Sequence, residues 1–362
     1  MVPFEWVGIR PPWIENSSEA DSAHASEGRD ASARVLFTRS VRRRNFTGFP
    51  FWVSCPPETC ALVAARARDF AETLPRSKTI ALSDYPPEAI GFFRERQWLP
   101  ERPISFPGKR DYKTLFLGAD PAEHALLGEV EHWTHIKVRP GLPDEVDVPS
   151  LPALMESMGP FSHSPGYGFL TSNPIFAGAG LQVECAVHLP ALTENRRAQS
   201  VQQALNAVGL ELQPLMLRTP GAAEAGFFRV LSRGGMKFPE DQLYRRFVEQ
   251  ISFLLKTEVE VLEKWHDKEK NRLEDRIYRS LRLLQEARTL DFPELLMFAS
   301  FTRIGVYLGY FPASLLPHLE DLRIRTQPSH LSILQNQALS PQIDIFRADL
   351  VRASLEAVVP RF

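Results

Sequence analysis

Apolar positions along this chain follow two different rhythms. From Arg34 to about Val148 short apolar runs alternate with turn signals, and "RVLFTRS", "KTLFLGA" and "HWTHIKV" read as strands. A further strand is predicted from Leu181 to Leu189, bounded by Gly180 before it and Pro190 after it. "ETCALVAARARDFAETL", among these strands, and "RRAQSVQQALNAVGL", after them, carry apolar residues at helical spacing, the second ended by Gly209. Beyond Pro239 the rhythm changes. No proline occurs before Pro293, and Phe247, Ile251, Leu254, Leu255, Val259 and Leu262 recur at three- and four-residue steps, continued by Leu273, Ile277, Leu281 and Leu284. The pattern predicts one long amphipathic helix, or two in sequence, with Glu, Lys and Arg on the outer face. "FPELLMFASFTRIGVYLGYF" and "QIDIFRADLVRASLEAVV" are helical as well.

With no βαβ rhythm and no GxGxxG after a strand, the first part is predicted to be an α+β domain with a largely antiparallel sheet, and the last hundred or so residues an all-helical domain. The polar run 14–34 reads as a disordered or loosely held insert. The expected division is a partly disordered N-terminal segment, 1–30, an α+β domain, 31–240, and a helical domain, 241–362. There are no internal repeats.

A chain of 362 residues, 44% apolar and 24% charged, has the composition of an ordinary soluble protein. Its net charge of −2 provides no global basic field, so neither nucleic acid nor membrane is expected as a partner. Arg42, Arg43 and Arg44 form a local basic run that reads as a solvated face. Cys55, Cys60 and Cys185 are too few for a disulfide framework and fit a reducing compartment. The C-x4-C pair lacks a second ligand pair, so no metal site is expected. The start shows no basic segment followed by an apolar core, and Arg303 interrupts the apolar stretch Leu295–Phe311, which reads as a buried helix. A cytoplasmic protein is expected.

Gly178 and Gly180, in the loop that leads into the strand at Leu181, suggest backbone held close to another group. Two readings stand at this point: amide N–H groups cradling a phosphate, or a plain turn into a buried strand.

Several segments taken together resemble a known family. "VLFTRSVRRRNFTGFPF" (35–51) is similar to the nucleotide-binding S-R-x-R-x-x-R-N segment of the guanidino kinases, "LLGEVEHWTHIKVRPGL" (126–142) to their N-E-E-D-H-L-R strand, and "YGFLTSNPIFAGAGLQVECAVHLPAL" (167–192) to the strand ending in H-L-P-A-L. "LEDRIYRSLRLLQEART", "GVYLGYFP" and "TQPSHL" resemble the helical domain of the protein-arginine branch, the McsB-type bacterial protein-arginine kinases. The resemblance runs from about Pro12 to the C-terminus. It implies a guanidino-kinase-type α+β catalytic domain followed by a helical domain, and transfer of the γ-phosphoryl group of ATP to a protein arginine. ATP and Mg2+ would be the cofactors if the protein is active, and none otherwise.

The chemistry requires a clamp of about five arginines on the triphosphate, because guanidinium pairs bidentately with phosphate. On the family's pattern the first falls on Arg39 and is kept. The others fall on Val41, Thr134 and Gln182, which are neutral, and on Arg218 in a loop about two residues shorter than the family's. One catalytic glutamate falls on Val130. Its neighbours Glu129 and Glu131 are expected to face the side of the strand opposite to Val130 and so cannot simply replace it. The second catalytic glutamate falls on Glu224. Compensation from Arg42 or Lys137 is one alternative to a broken clamp. Ordinary structural roles compete for Arg39, Arg218 and Glu224, and His132 and His188, set in apolar strands, read as satisfied core histidines. The family's phosphoarginine-binding R-D-x-x-R-A motif is matched by Asp344 and Arg347, with Ile343 in place of the leading arginine. These two residues read either as a retained phosphoarginine site or as an i,i+3 ion pair.

Weak or absent catalysis is therefore expected. The competing expectation is a non-catalytic module that binds a phosphoarginine-bearing protein, or an adaptor that pairs with an active kinase or a protease system. The resemblance also allows a homodimer.

Overall fold

The alternating runs pair into one sheet. A computed structural model describes residue 14 and residues 30–72, 78–100, 112–118, 122–142, 160–216, 221–234, 238–335, 342–356 and 358. Its strands are β1 (Val35–Arg44), β2 (Lys78–Ala81), β3 (Thr114–Leu117), β4 (Glu123–Leu127), β5 (Trp133–Pro140), β6 (His163–Ser164), β7 (Gly168–Phe169), β8 (Leu181–His188), β9 (Leu210–Pro214) and β10 (Phe227–Ser232). Eight of them form a sheet in the order β2-β3-β4-β5-β1-β8-β10-β9, and every neighbouring pair is antiparallel. β6 and β7 make a separate small hairpin.

The helices are α1 (Pro57–Glu72), α2 (Pro87–Glu95), α3 (Pro190–Glu194), α4 (Ala198–Ala207), α5 (Glu240–Glu286), α6 (Phe292–Tyr307), α7 (Leu315–Arg325), α8 (Pro328–Gln335) and α9 (Ile343–Glu356). The class is α+β, an antiparallel sheet flanked by helices and followed by a helical region. The proline-free stretch forms α5, whose one non-helical residue is Glu269 (φ −130°, ψ 36°), so the chain is both a long helix and two segments in sequence. α6 opens with a capping box between Asp291 and Glu294 and is buried along most of its length, Arg303 included. Among the described residues, no helix is long and apolar enough to cross a membrane.

Side-chain alternation divides the sheet into two faces. Phe37, Val41, Ile136, Val138 and Ala186 pack on one face against Phe92, Phe93 and Trp98 from α2 and the turn after it, and this core runs on without a break into Leu295, Leu296, Leu319 and Val351 of the C-terminal helices. On the other face Val183, Cys185, Val187 and Val230 meet Leu243, Phe247, Ile251 and Leu255 of α5. At the β3–β4–β5 end, Trp52, Cys60 and Val63 close over Phe116, Leu127 and Trp133. All three cysteines are free and buried.

The structure corrects three expectations, the first being the solvated face read at Arg42–Arg44, since Arg42 and Arg44 are buried and paired with Glu240. The loose insert expected over 14–34 stops short, because Ala31–Arg34 form a 3₁₀ turn capped by Asp30, and the Arg34 guanidinium is buried over the Tyr307 ring at 4.5 Å. Residues 15–29 lie outside the described residues. Glu258 on α5, expected on the outer face, is 0% exposed and accepts from the backbone N–H groups of Ala191 and Leu192 at 2.8 and 2.9 Å.

Candidate functional site

β1 is the central strand, and its register with β5 and β8 fixes what surrounds Arg39. Arg39 lies opposite Val138 and Glu184, and Val41 lies opposite Ile136 and Gln182. Arg39 is 5% exposed and Glu184 4%. The Arg39 Nε donates to Glu184 Oε2 at 2.9 Å, Nη2 lies 2.6 Å from the same oxygen, and Nη1 donates to the Gln97 carbonyl at 3.5 Å. Each guanidinium nitrogen of Arg39 therefore already has a partner within the chain. Gln97 makes its contact from a left-handed backbone conformation, φ 61°, in the turn after α2. Arg229 on β10 adds a third cationic contact, its Nη1 lying 3.6 Å from Glu184 Oε2. Burial by itself would raise the Glu184 pKa, but Arg39, Arg229 and Arg43 together hold it below the ordinary carboxylate value, so this carboxylate is charged.

The three neutral clamp positions hold no cation. Val41 is 3% exposed and belongs to the hydrophobic core, and Thr134 and Gln182 are buried. Gln182 Oε1 accepts from Arg43 Nη2 at 2.8 Å, and the Arg43 guanidinium stacks 4.0 Å from the Phe176 ring centroid. Burial lowers the Arg43 pKa to about 10, so it stays charged at neutral pH. Arg42 and Lys137, the expected compensating cations, are on the opposite face by strand alternation, where Arg42 pairs with Glu240 at 3.0 Å and Lys137 lies 3.9 Å from Glu123. Within β1 a cation that does share a face with Arg39 is Arg43, four residues along. Alternation along β1 contained that signal, whereas nothing in β8, which also carries Gln182 and His188 on the same face, singled out Glu184.

The glycine loop is a turn packed against an arginine. Asn173 caps the short turn Pro174–Phe176 by accepting from the Ile175 N–H at 3.1 Å. Gly180 has φ +60°, and a Cβ there would lie 2.3 Å from Arg44 Nη1 and 2.9 Å from the Arg43 carbonyl oxygen. Arg44 Nη1 donates to the Ala179 carbonyl at 3.2 Å, and its guanidinium lies 3.6 Å from the Phe169 ring centroid. The group held close to this backbone is a side chain of the same protein.

The carboxylates also stand differently from expectation. Residues 128–132 are a bend ahead of β5, so strand alternation does not govern Glu129 and Glu131. Glu131 is buried and accepts from Asn45 Nδ2 at 2.5 Å and from the backbone N–H and Oγ of Ser172 at 2.9 and 2.8 Å. Glu129 lies 3.4 Å from Lys113 Nζ. Glu224 is exposed on the turn before β10, and Arg218 lies outside the described residues.

Asp344 and Arg347 pair with each other. Arg347, however, is only 2% exposed, with Nε donating to the Thr326 carbonyl at 3.0 Å and Nη1 to the Leu290 carbonyl at 2.9 Å. The guanidinium is thus turned inward and ties three segments together.

His132 accepts from the Phe46 N–H at Nδ1, 3.0 Å, and faces the Pro50 carbonyl at 2.8 Å, and burial lowers its pKa to about 4. His188 is enclosed by Tyr307 Oη, Ser300 Oγ and the Ala225 carbonyl. Both are neutral core groups. As a donor set for a triphosphate with magnesium, the described residues of this face do not fit as they stand, since Arg39 is paired with Glu184, Arg229 lies against the same carboxylate, Arg43 is held by Gln182, and the other clamp positions are Val41, Thr134 and Gln182.

The antiparallel sheet flanked by helices and continued into a helical region has the fold of the guanidino kinases. Residues 148–261 match the family model described as ATP:guanido phosphotransferase, C-terminal catalytic domain, and residues 270–361 match Protein-arginine kinase McsB C-terminal domain. The chain belongs to the protein-arginine kinase family of ATP:guanido phosphotransferases. It is 25% identical over 342 residues to a protein-arginine kinase of Shouchella clausii, covering 91% of this chain and 93% of that one, and 25% identical over 367 residues to that of Symbiobacterium thermophilum, covering 95% and 99%. The protein-arginine kinase of Bacillus subtilis is 30% identical over 189 residues, about half of each chain at 52%. A crystal structure of lombricine kinase aligns with a TM-score of 0.53 at 17% identity, over 64% of this chain and 68% of that one, which establishes the shared fold.

Proposed function

We propose that this protein is a protein-arginine-kinase relative in which phosphoryl transfer from ATP to protein arginine is weak or lost. The observation that carries this reading is the composition of the sheet face around Arg39: Val41 is part of the core, Gln182 is an amide, Thr134 is buried, and Arg39 itself is engaged by Glu184 and the Gln97 carbonyl. A charge-assisted hydrogen bond contributes roughly 1.5–3 kcal/mol, so three missing clamp arginines weaken triphosphate binding by several kcal/mol, or orders of magnitude in affinity. Val130 removes one acceptor-orienting carboxylate and leaves exposed Glu224 as the second candidate. The family supplies a protein as the substrate or partner, and three free, buried cysteines support a reducing, cytoplasmic setting.

Calorimetric titration with Mg-ATP tests this reading. No binding is expected in the micromolar range. A micromolar Kd that disappears in Arg39→Ala would show that the remaining clamp suffices.

A further inference from the structure

The contacts around Glu184 resemble a ligand site that is already filled. A carboxylate lies buried on the middle of the sheet, with one of its oxygens facing Arg39 Nε and Nη2 at 2.9 and 2.6 Å and Arg229 Nη1 at 3.6 Å. Arg43 is the third cation acting on it. Two guanidinium groups converging on one carboxylate oxygen, with a third adding its charge, is the kind of arrangement by which proteins hold oxyanions, because the planar fork matches the geometry of both carboxylate and phosphate. The Gln97 carbonyl completes the shell around Arg39 from a backbone conformation that a non-glycine residue seldom adopts, so the turn after α2 is held against this cluster.

Purely structural ion clusters also exist, and breaking one leaves buried charge uncompensated. The two roles differ in one consequence. If the carboxylate substitutes for a ligand, removing its charge creates affinity for a free oxyanion at the same place. If it serves packing alone, removing its charge only destabilises the fold.

We propose that Glu184 is a tethered oxyanion that keeps Arg39 and Arg229 closed to phosphoryl-bearing ligands, so that this face takes such a ligand only when the carboxylate is neutralised or moved aside. This rests on reading the Arg39 face as the nucleotide side of the sheet, and it names the residue that closes it.

The test uses the full chain and inorganic pyrophosphate, followed by calorimetry and by thermal unfolding. Glu184→Gln, which keeps the shape and removes the charge, is expected to bind pyrophosphate at least about tenfold more tightly than the native protein. Pyrophosphate should raise the unfolding temperature of the variant and leave the native protein unchanged, and adding Arg39→Met should abolish the gain. A folded Glu184→Gln protein with no gain overturns the proposal. If that variant does not fold, Glu184→Asp, whose shorter side chain loosens its hold on Arg39, should show a smaller gain of a few fold, and no gain there overturns the proposal equally. The two readings fail separately. Absence of a gain, with ATP binding also absent from the native protein, removes only the tethered anion. Micromolar ATP binding by the native protein, with tighter binding still in Glu184→Gln, removes only the weakened-clamp reading.

Discussion

Glu258 shows how far a single residue can depart from its pattern. It sits among charged neighbours on α5, yet it is buried against the start of α3, where it accepts from two backbone N–H groups. Burial pushes its pKa up to about 8, while those amide donors and Arg34 oppose the shift. With the folded value raised above the unfolded one, the native state holds a proton that the unfolded chain releases. The stabilising contribution is complete below the ordinary carboxylate range near 4.5 and declines as pH rises to about 8. The expected slope is at most about 1.4 kcal/mol per pH unit. Denaturant unfolding between pH 5 and 8 should show this decline, and Glu258→Gln should flatten it; identical pH profiles for the two proteins would count against a buried, titrating Glu258. The same limit applied at the site. Arg39 was legible because its motif surrounds it, whereas Glu184 and Arg229 belong to different strands and become partners only through the register across β1, β8 and β10.

Elements were easier to read than partners. The strands and long helices follow period-two and helical spacing, and both survive in the structure because each buries its apolar side. Two helices in sequence were one of the readings, but the position of the break at Glu269 was not legible, since no proline or glycine marks it; it falls between the two matched segments, residues 148–261 and 270–361. Nor was the contact between α2 and α8. Glu95 accepts from the Ser329 and His330 backbone N–H groups at 2.8 and 2.9 Å and meets His330 Nδ1 at 2.7 Å, so a carboxylate from one helix caps the N-terminus of another more than two hundred residues away. Gly91 gives Ser329 room, because a Cβ there would lie 2.2 Å from its Oγ. Replacing Glu95 with alanine is expected to lower stability by about 1–2 kcal/mol and to speed amide exchange across Pro328–Gln335. Unchanged exchange in that helix would mean that Glu95 does not hold it.

Over the whole molecule, one core joins the Arg39 side of the sheet to the C-terminal helices, so the scaffold is continuous where the chemistry has thinned. Fold and family were legible from the order of motifs along the chain. The condition of the site was legible only in part: the losses at Val41, Thr134, Gln182 and Val130 could be read by position, while the internal anion could not. On the proposed reading, a preserved scaffold with a neutralised clamp would leave phosphoryl transfer weak or absent. The direct measurement is incubation of the full chain with labelled ATP, magnesium and an arginine-rich protein, followed by an assay for acid-labile phosphate. No acid-labile label above background is expected, and strong labelling that disappears in Glu224→Gln would contradict the loss of catalysis and make Glu224 the working carboxylate.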